Sequence, residues 1–347
     1  MKYFKFLLIF VPISIIGHLM EFSDSFIFVF SALAIIPLAG YLGEATEELA
    51  VFTGPKLGGF LNATFGNATE LIIAFFAMKA GLFDVVKASL AGSVLGNILL
   101  VLGISILAGG LKHKELHFDK EQGAFTSSML LFSLIGLSLP AVFTYSIPES
   151  LLESKYEEYS LLIAFILLMI YVVGLMYSFN TQKDVYGVEH AEDMDQHWSK
   201  KVSITVLAVC TLLIAVESEL LVRTIEPMAE SFGLKKMFVG LILIPIIGNA
   251  AEHSTAVVMA LKNKMDISIE IAVGSSLQIS LFVAPLLVLI SHFFKPMSIV
   301  FMPIEIFVFA ASVLIANKIV SSGKTNWVEG LLLVAVYLIT AIGFFIL

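Results

Sequence analysis

Long apolar runs constrain the fold of this chain more than any other feature of its sequence. A helix that crosses a bilayer needs about 20 mostly apolar residues, and eleven runs of suitable length lie between charged or Gly/Pro-bearing breaks. They cover approximately residues 4–20, 25–43, 57–80, 84–109, 124–146, 157–180, 201–222, 234–262, 267–293, 297–317 and 326–347. The chain is 59% hydrophobic and 14% charged, whereas soluble domains are about 45–50% apolar and about 25% charged. We therefore expect an all-α polytopic membrane protein with about eleven transmembrane helices.

The charges indicate how such a protein would be oriented. Eleven spans alternate between two sides, and the loops on the N-terminal side hold thirteen of the 20 Lys and Arg residues. The positive-inside rule then predicts a cytoplasmic N-terminus and a C-terminus outside the cell.

The net charge of −8 argues against a nucleic-acid partner. The single cysteine, Cys210, allows neither a disulfide nor a thiolate metal site, and we expect no cofactor.

Two stretches of the chain repeat each other. The residues Gly66 to Glu70 (GNATE) reappear 182 positions later as Gly248 to Glu252 (GNAAE). The same offset relates three further pairs, namely Asp84 and Asp266, Gly92 and Gly274, and Ser93 and Ser275. The copies lie five spans apart, and because five is odd they enter the membrane from opposite faces. Inverted repeats of this kind build the midplane sites of many secondary transporters.

This repeat predicts the domain organisation of the chain. We expect an extra N-terminal transmembrane helix, a first five-helix repeat, an acidic cytoplasmic linker and a second five-helix repeat. Their ranges are 1–24, 25–182, 183–200 and 201–347.

The repeated motif carries an acidic residue at membrane depth in each copy. Glu70 and Glu252 lie in apolar runs, where ionisable residues are costly and are functional by default. Asn67 and Asn249 each precede the acid by three residues, so amide and carboxylate would share a helix face. Oxygen donors of this kind suit a hard divalent cation, calcium above all. The pair therefore predicts a calcium site to which each repeat contributes one carboxylate and one amide.

Further polar residues follow the two motifs. Ser93 and Asn97 are four residues apart, and Ser275 and Gln278 are three apart, so each pair can line an ion pathway or simply bond to its own backbone. His253 is a candidate proton-sensing residue or a packing histidine. Glycine and proline near both motifs predict broken helices whose carbonyls are freed, at Gly54-Pro55, Gly58-Gly59, Gly66, Pro245 and Gly248.

Acidic residues outside the motifs have two interpretations. Glu44 and Glu47 follow the second predicted span, and Glu217 closes the seventh. They form either a funnel that concentrates cations or ordinary solvated helix ends. Asp193 and Asp195 lie in the linker, where solvation or cytosolic calcium sensing would explain them.

Paired carboxylates also suggest a mechanism. Two carboxylates that are close together at low dielectric repel each other, and either two protons or one calcium ion would neutralise them. Because a cation needs the same oxygens deprotonated, metal and protons should exclude each other. A protein that changes its facing only when this site is neutralised would exchange calcium for protons.

The motifs resemble a known family. The segments GNATELIIAFFAMKAGL with AGSVLGNILLVLG, and GNAAEHSTAVVMALKNKMD with VGSSLQISLFVAP, are similar to the paired repeats of the calcium/proton antiporters, the cation exchanger branch of the calcium/cation antiporter superfamily. The resemblance implies eleven spans, calcium and protons as substrates, and the two motif glutamates as their binding sites. It also implies a prokaryotic form in the cell membrane, whose partners are these ions and the lipid bilayer; a homo-oligomer is left open.

Three other functions are weighed against this one. A sodium/calcium exchanger on a similar scaffold needs oxygen donors but no titration, so the site residues alone leave it open. An intramembrane hydrolase using Glu252 and His253 would want the HExxH pattern, which is absent, and we therefore expect no enzyme. A passive cation channel is disfavoured by the paired halves.

Overall fold

A computed structural model describes residues 4–146, 152–181 and 197–346 of the chain, and these residues are almost entirely helical. A 3₁₀ segment, Phe4–Ile9, comes first. The helices that follow are α1 Phe10–Leu19, α2 Asp24–Phe65, α3 Ala68–Lys79, α4 Phe83–Leu95, α5 Leu102–His113, α6 Lys120–Ser146, α7 Leu152–Thr181, α8 Lys200–Ser231, α9 Lys236–Phe238, α10 Ile244–Leu261, α11 Met265–Ile269, α12 Ser275–Gln278, α13 Ala284–Ser291, α14 Pro303–Val320 and α15 Trp327–Ile346.

Wider π-helical turns and one short β-ladder complete the described structure. The π segments continue the neighbouring α-helices without a break, at Gly96–Val101, Val239–Leu243, Glu270–Gly274 and Ile279–Val283. Strands β1 Glu115–His117 and β2 Lys324–Asn326 pair antiparallel, with Leu116 opposite Thr325.

The predicted fold class, an all-α polytopic membrane protein, is confirmed. Each of the eleven predicted spans falls on a helix, and nine helical segments of the described chain are long and apolar enough to cross a membrane. The other two predicted spans correspond to shorter helices. The first is the apolar segment Lys5–Leu19, and the third ends in the 12-residue helix α3.

Helix α2 corrects two expectations from the sequence. At 42 residues it is about 63 Å long, roughly twice the hydrocarbon thickness of a bilayer. It runs through Gly54-Pro55 and Gly58-Gly59, so the predicted breaks there are wrong, and the chain breaks only at Gly66-Asn67. Glu44 and Glu47 consequently lie inside a helix and do not follow its end.

Helix α10 corrects the matching expectation in the second repeat. It continues through Gly248 without interruption, so no break occurs at that glycine. Pro245 is its second residue and, because proline has no N–H, donates no hydrogen bond to the preceding helical turn. The irregular backbone of this region is instead the π segment Val239–Leu243, which comes immediately before the helix.

The described chain divides into two compact units, and neither unit coincides with a predicted repeat. The first unit comprises residues 1–89 and 188–252, and the second comprises 90–187 and 253–347. Each unit thus takes residues from both predicted repeats, with boundaries inside α4 and α10. The division into two five-helix repeats, at 25–182 and 201–347, stays a prediction.

The first unit is built around antiparallel packing of α2 along α8. At one end the hydroxyls of Ser25 and Ser231 are 3.1 Å apart. At the other end the Glu48 carboxylate accepts hydrogen bonds from the backbone N–H groups of His197 and Trp198. Between these ends lies an apolar cluster to which α1, α2, α3 and α8 all contribute, and whose buried members are Val11, Ala34, Leu38, Leu42, Ala68, Cys210 and Ile214.

In the second unit, close helix packing depends on small residues. Helix α15 lies against α5, and a Cβ at Gly330 would come within 2.4 Å of the backbone nitrogen of Leu107. A Cβ at Gly103 would likewise come within 2.9 Å of the Leu333 side chain. Small residues at such positions let membrane helices approach closely.

Three loops of the second unit meet at one of its faces. Lys112 Nζ donates to the Leu261 carbonyl at 2.9 Å, and the Phe118 N–H donates to the Gly323 carbonyl at 3.1 Å. Across the β-ladder the Lys324 ammonium hydrogen-bonds Glu115 at 2.9 Å and thereby lowers the pKa of that carboxyl. The loops after α5, α10 and α14 therefore lie together.

The two motif copies have matching helix boundaries at the offset found in the sequence. Helices α3 and α10 end at Lys79 and Leu261, which are 182 residues apart, and α4 and α11 begin at Phe83 and Met265, again 182 apart. In the turns between them Gly81 and Asn263 occupy equivalent positions, and both have positive φ, +80° and +62°. The repeat is therefore structural as well as sequential.

Candidate functional site

Glu70 lies in the first turn of helix α3 because the chain breaks directly before it. Helix α2 ends at Phe65, and Asn67 is the N-cap of α3 with φ −103° and ψ 20°. The Asn67 side chain makes no capping hydrogen bond, although the spacing N-x-x-E is that of a capping box. The first turn of a helix carries unsatisfied N–H groups and a positive dipole end, which favours negative charge there.

Glu252 has a different local setting. It lies in the middle of the continuous helix α10 and is the last residue of the first unit. Asn249 Nδ2 donates to the Pro245 carbonyl at 3.0 Å, so this amide is directed back along its own helix. Asn249 and Asn67 are both 1% exposed. The same motif thus adopts two local conformations in the two copies.

The two copies of the motif meet within the first unit. Glu70 Oε1 lies 3.2 Å from the position that a Cβ on Gly248 would take, so the carboxylate packs against the α10 backbone. Gly248 and Glu252 are four residues apart on α10 and therefore share a face about one turn, or 5.4 Å, apart. One carboxylate oxygen of each acid, Oε2, is shielded from solvent.

The groups that could bind a ligand at the two motifs are carboxylates and side-chain amides. They comprise two carboxylates with Asn67 and Asn249 close by in sequence. No group of three or more His, Cys, Asp or Glu side chains with the geometry of a metal site occurs in the described chain. Two acids supplemented by amide and carbonyl oxygens are a hard-cation donor set, which can equally hold protons.

The candidate pathway residues after each motif belong to the second unit and are all buried. Ser93, Asn97, Ser275 and Gln278 are each 7% exposed or less. Asn97 lies in the π segment Gly96–Val101, while Ser275 and Gln278 bound α12, between two π segments. Such π turns occur frequently at functional sites. A pathway role for these residues stays a prediction.

His253 has a partner that the sequence did not reveal. Its Nε2 lies 3.1 Å from Asn97 Oδ1, and because a carbonyl oxygen only accepts, the imidazole donates through this nitrogen. The contact joins α10 to the π segment of the first repeat, and both residues belong to the second unit. The contact fits a packing histidine, and the proton-sensing role stays a prediction.

The acids outside the motif are in unlike environments. Glu47 is exposed and Glu44 is half-buried, both on α2. Glu217 is fully buried at 0% exposure in the middle of α8, so the expectation of a helix end at this acid is wrong. Asp193 and Asp195 lie outside the described residues, and their proposed regulatory role stays a prediction.

Gly248 has a different role from the one that the sequence analysis gave it. Its place in both motif copies, four residues before the acid, was the available signal. The sequence analysis took the glycine for a helix break, whereas it provides room for the Glu70 carboxylate. Gly66, its counterpart, has a different function, because a Cβ there would meet the Asn62 carbonyl oxygen at 2.6 Å where α2 ends.

These features define a class of protein: a multi-pass membrane protein in which two copies of one motif, inverted by the span count, bring paired acids together. Comparison with known proteins identifies the family. Residues 24–180 and 202–346 match the family described as sodium/calcium exchanger protein, and the chain belongs to it.

Relatives in this family match almost the whole chain. A Ca(2+)/H(+) antiporter ChaA from Bacillus subtilis is 46% identical over 97% of each chain. A Ca(2+)/H(+) antiporter from Aphanothece halophytica is 44% identical over 98% of this chain and 95% of its own length. The solved structure of native YfkE is 42% identical and superimposes with a TM-score of 0.87, covering 99% of this chain and all of the other. The resemblance drawn from the motifs is confirmed.

Proposed function

We propose that this protein is a secondary active transporter that exchanges Ca²⁺ for H⁺ across a membrane. In this proposal Glu70 and Glu252 bind either one calcium ion or protons. The observation that carries it is the packing of the Glu70 carboxylate against Gly248, one helical turn from Glu252, within a single compact unit. This packing supports a ligand shared by two acids from separate copies of one motif.

The chemistry of exchange follows from charge neutralisation. Empty and ionised, the pair would place two negative charges in a region shielded from water, which is costly. A calcium ion with amide and carbonyl oxygens removes this cost, and so do two protons. Because both compete for the same oxygens, calcium arriving on one side displaces protons to that side.

Alternating access is supported by the asymmetry between the two motif copies. One acid lies in the first turn of a helix after a break, and the other lies in a continuous helix. Inverted repeats that adopt two local conformations suit a cycle in which the copies exchange conformations and so change the accessible side.

The printed names of the relatives favour protons over sodium as the coupling ion. Two proteins with 44% and 46% identity are Ca(2+)/H(+) antiporters. The family description, sodium/calcium exchanger protein, keeps a sodium-coupled calcium exchanger as the second candidate. We also propose a plasma-membrane location, which the family resemblance suggests. The distribution of positive charge favours a cytoplasmic N-terminus.

Flux measurements with reconstituted protein test the coupling ion. In sodium-free proteoliposomes we expect calcium uptake to follow an imposed pH gradient and to carry protons in the opposite direction. Fluorescent indicators for calcium and pH, read on the same vesicles, provide the measurement. Uptake that requires a sodium gradient and ignores the pH gradient would establish the second candidate instead.

Neutral variants test the two acids. We expect Glu70→Gln and Glu252→Gln each to abolish calcium-coupled proton movement, because one remaining carboxylate can neither balance a divalent ion nor exchange two protons. The matched control is Glu230→Gln, an exposed acid on α8 of the same unit, which should transport normally. Size-exclusion profiles would verify folding. Full calcium-coupled transport by either motif variant would remove that residue from the site.

A further inference from the structure

Glu217 and Ser14 form a buried polar pair that the proposed exchange does not use. Glu217 lies on α8 and Ser14 on α1, and both side chains are 0% exposed. The Ser14 hydroxyl oxygen is 2.7 Å from Glu217 Oε1, within hydrogen-bond distance. The other carboxyl oxygen, Oε2, is buried without a hydrogen-bond partner among the described residues.

The hydrogens available to this pair indicate its protonation state. Ser14 Oγ also lies 2.8 Å from the Val11 carbonyl oxygen, which can only accept. A serine hydroxyl has one hydrogen, so it cannot fully satisfy Val11 and an ionised Glu217 together. If Glu217 carries a proton, its O–H donates to Ser14 Oγ while the serine hydrogen goes to Val11. Both short contacts are then satisfied.

The surroundings of the pair are apolar. Val11 and Ile214, each three residues from a member of the pair, belong to the buried cluster of the first unit together with Ala34 and Leu38. The hydroxyl of Ser31 on α2 is also buried beside Glu217, but it lies outside hydrogen-bond geometry. An ionised carboxylate in such a place would have one hydrogen bond and no compensating cation, which is costly.

Ionisable groups on the packed helices do not change this picture. Among the described residues, none of these groups makes a hydrogen bond or ion pair with Glu217. They include His18 on α1, Tyr41 and Glu44 on α2, Glu70 and Lys79 on α3, Cys210, Glu219 and Arg223 on α8, and Lys236 on α9. The cations among them, Lys79, Arg223 and Lys236, are exposed.

We propose that Glu217 and Ser14 form a proton-binding site, occupied by a proton in this conformation, that joins helix α1 to α8. Loss of the proton would draw the serine hydrogen away from Val11 and place an uncompensated charge among apolar side chains. The site would thus loosen the attachment of α1 as the pH rises. This inference concerns the folded protein alone and does not rest on calcium transport.

The pH dependence of unfolding tests the site directly. Gln has the shape of a protonated Glu and can donate to Ser14 in the same way, so Glu217→Gln should match the wild type at mildly acidic pH. As the pH rises, the wild-type unfolding midpoint should fall below that of Glu217→Gln, by a gap that widens with pH. Glu219→Gln, an exposed acid on the same helix, should show no such gap.

The opposite outcome would overturn the proposal clearly. If Glu217 were ionised, Glu217→Gln would be less stable than the wild type at neutral pH, and the gap would close on acidification. A gap that is absent at every pH would equally refute a bound proton. Because these measurements need no calcium or membrane gradient, their failure is distinct from a failure of the transport proposal.

A second measurement applies even if Glu217→Gln does not fold. Infrared spectra of the wild type should contain a protonated carboxylic-acid carbonyl band that shifts in Ser14→Ala, because the acceptor for the Glu217 O–H is removed. Ser218→Ala, which removes another fully buried hydroxyl from α8, is the matched control and should leave the band unchanged. A band unaffected by Ser14→Ala would overturn the assignment.

Discussion

At the scale of single residues, the candidate site depends on a side chain that is absent. Gly248 has no Cβ, and the Glu70 carboxylate occupies the space that one would take, at 3.2 Å. A contact between 3.0 and 3.4 Å is tighter than nine in ten real Cβ contacts, so with a substituent there the carboxylate has to shift by a few tenths of an ångström. The position of Glu70 relative to Glu252 is therefore set by a glycine on the partner helix.

Gly248→Ala should impair the site without unfolding the protein. Overpacking of this kind costs about 1–3 kcal/mol, and if the calcium-bound state bears this cost, calcium binding weakens by about 5- to 150-fold. Isothermal titration of calcium into purified protein measures the change. The matched control is Gly43→Ala on α2, where a Cβ would meet nothing within 4 Å. Wild-type affinity in Gly248→Ala would show that Glu70 does not contribute to the site.

At the scale of secondary-structure elements, the repeat controls where helices end. The turns after α3 and α10 place Gly81 and Asn263 at positive φ, a region that favours glycine and tolerates asparagine better than other residues. Two different residue types thus meet one backbone requirement at equivalent positions. The shared turn explains why α4 and α11 begin 182 residues apart.

Substitutions at these two turns should have unequal effects on stability. Gly81→Ala forces a Cβ into the left-handed region and should lower the free energy of unfolding by about 1–2 kcal/mol. Asn263→Gly relieves that requirement and should be nearly neutral. Unfolding midpoints in detergent measure both, with Gly343→Ala in α15 as the control because its Cβ would be unobstructed. Equal stability of Gly81→Ala and wild type would contradict a shared turn geometry.

At the scale of the whole molecule, the chain passes repeatedly between the two sides of a membrane, and hydrogen bonds identify loops that share a side. The loop after α5 contacts both the loop after α14 and the end of α10 within the second unit. The alternation of eleven spans assigns these same loops to the side of the N-terminus. The number of predicted spans and the tertiary contacts therefore place these three loops on the same side.

Cysteine labelling in intact cells tests that assignment. In a Cys210→Ala background we expect His117→Cys, Lys262→Cys and Ser322→Cys, all at exposed positions, to react only after the membrane is permeabilised. Lys235→Cys, at the opposite end of the helical segment that reaches Lys262, should react from outside. Labelling of the first three on different sides would refute the shared face, and labelling of all three from outside would reverse the proposed orientation.

The sequence predicted the helices well but not the contacts between them. Apolar runs of span length and the 182-residue offset identify the helices and the paired motifs, since both are properties of local sequence. The break at Gly66 was among those predicted, but the continuation of α2 through Gly54-Pro55 and Gly58-Gly59 was not, because glycine and proline in a local pattern cannot show where tertiary packing keeps a helix intact. Glu217 was expected at the end of a helix but lies buried in the middle of α8, because the apolar pattern ends before the helix does.

By itself, the sequence determined that this chain is a helical membrane protein with an inverted repeat and one acid in each copy. It could do so because bilayer thickness and helix geometry act on every residue in the same way, whatever its partners. Only the tertiary structure decided that Glu70 packs on Gly248 and that Glu217 is buried beside Ser14. Such contacts join residues nearly 180 positions apart or more, and they depend on the close packing of particular side chains, which no local pattern records.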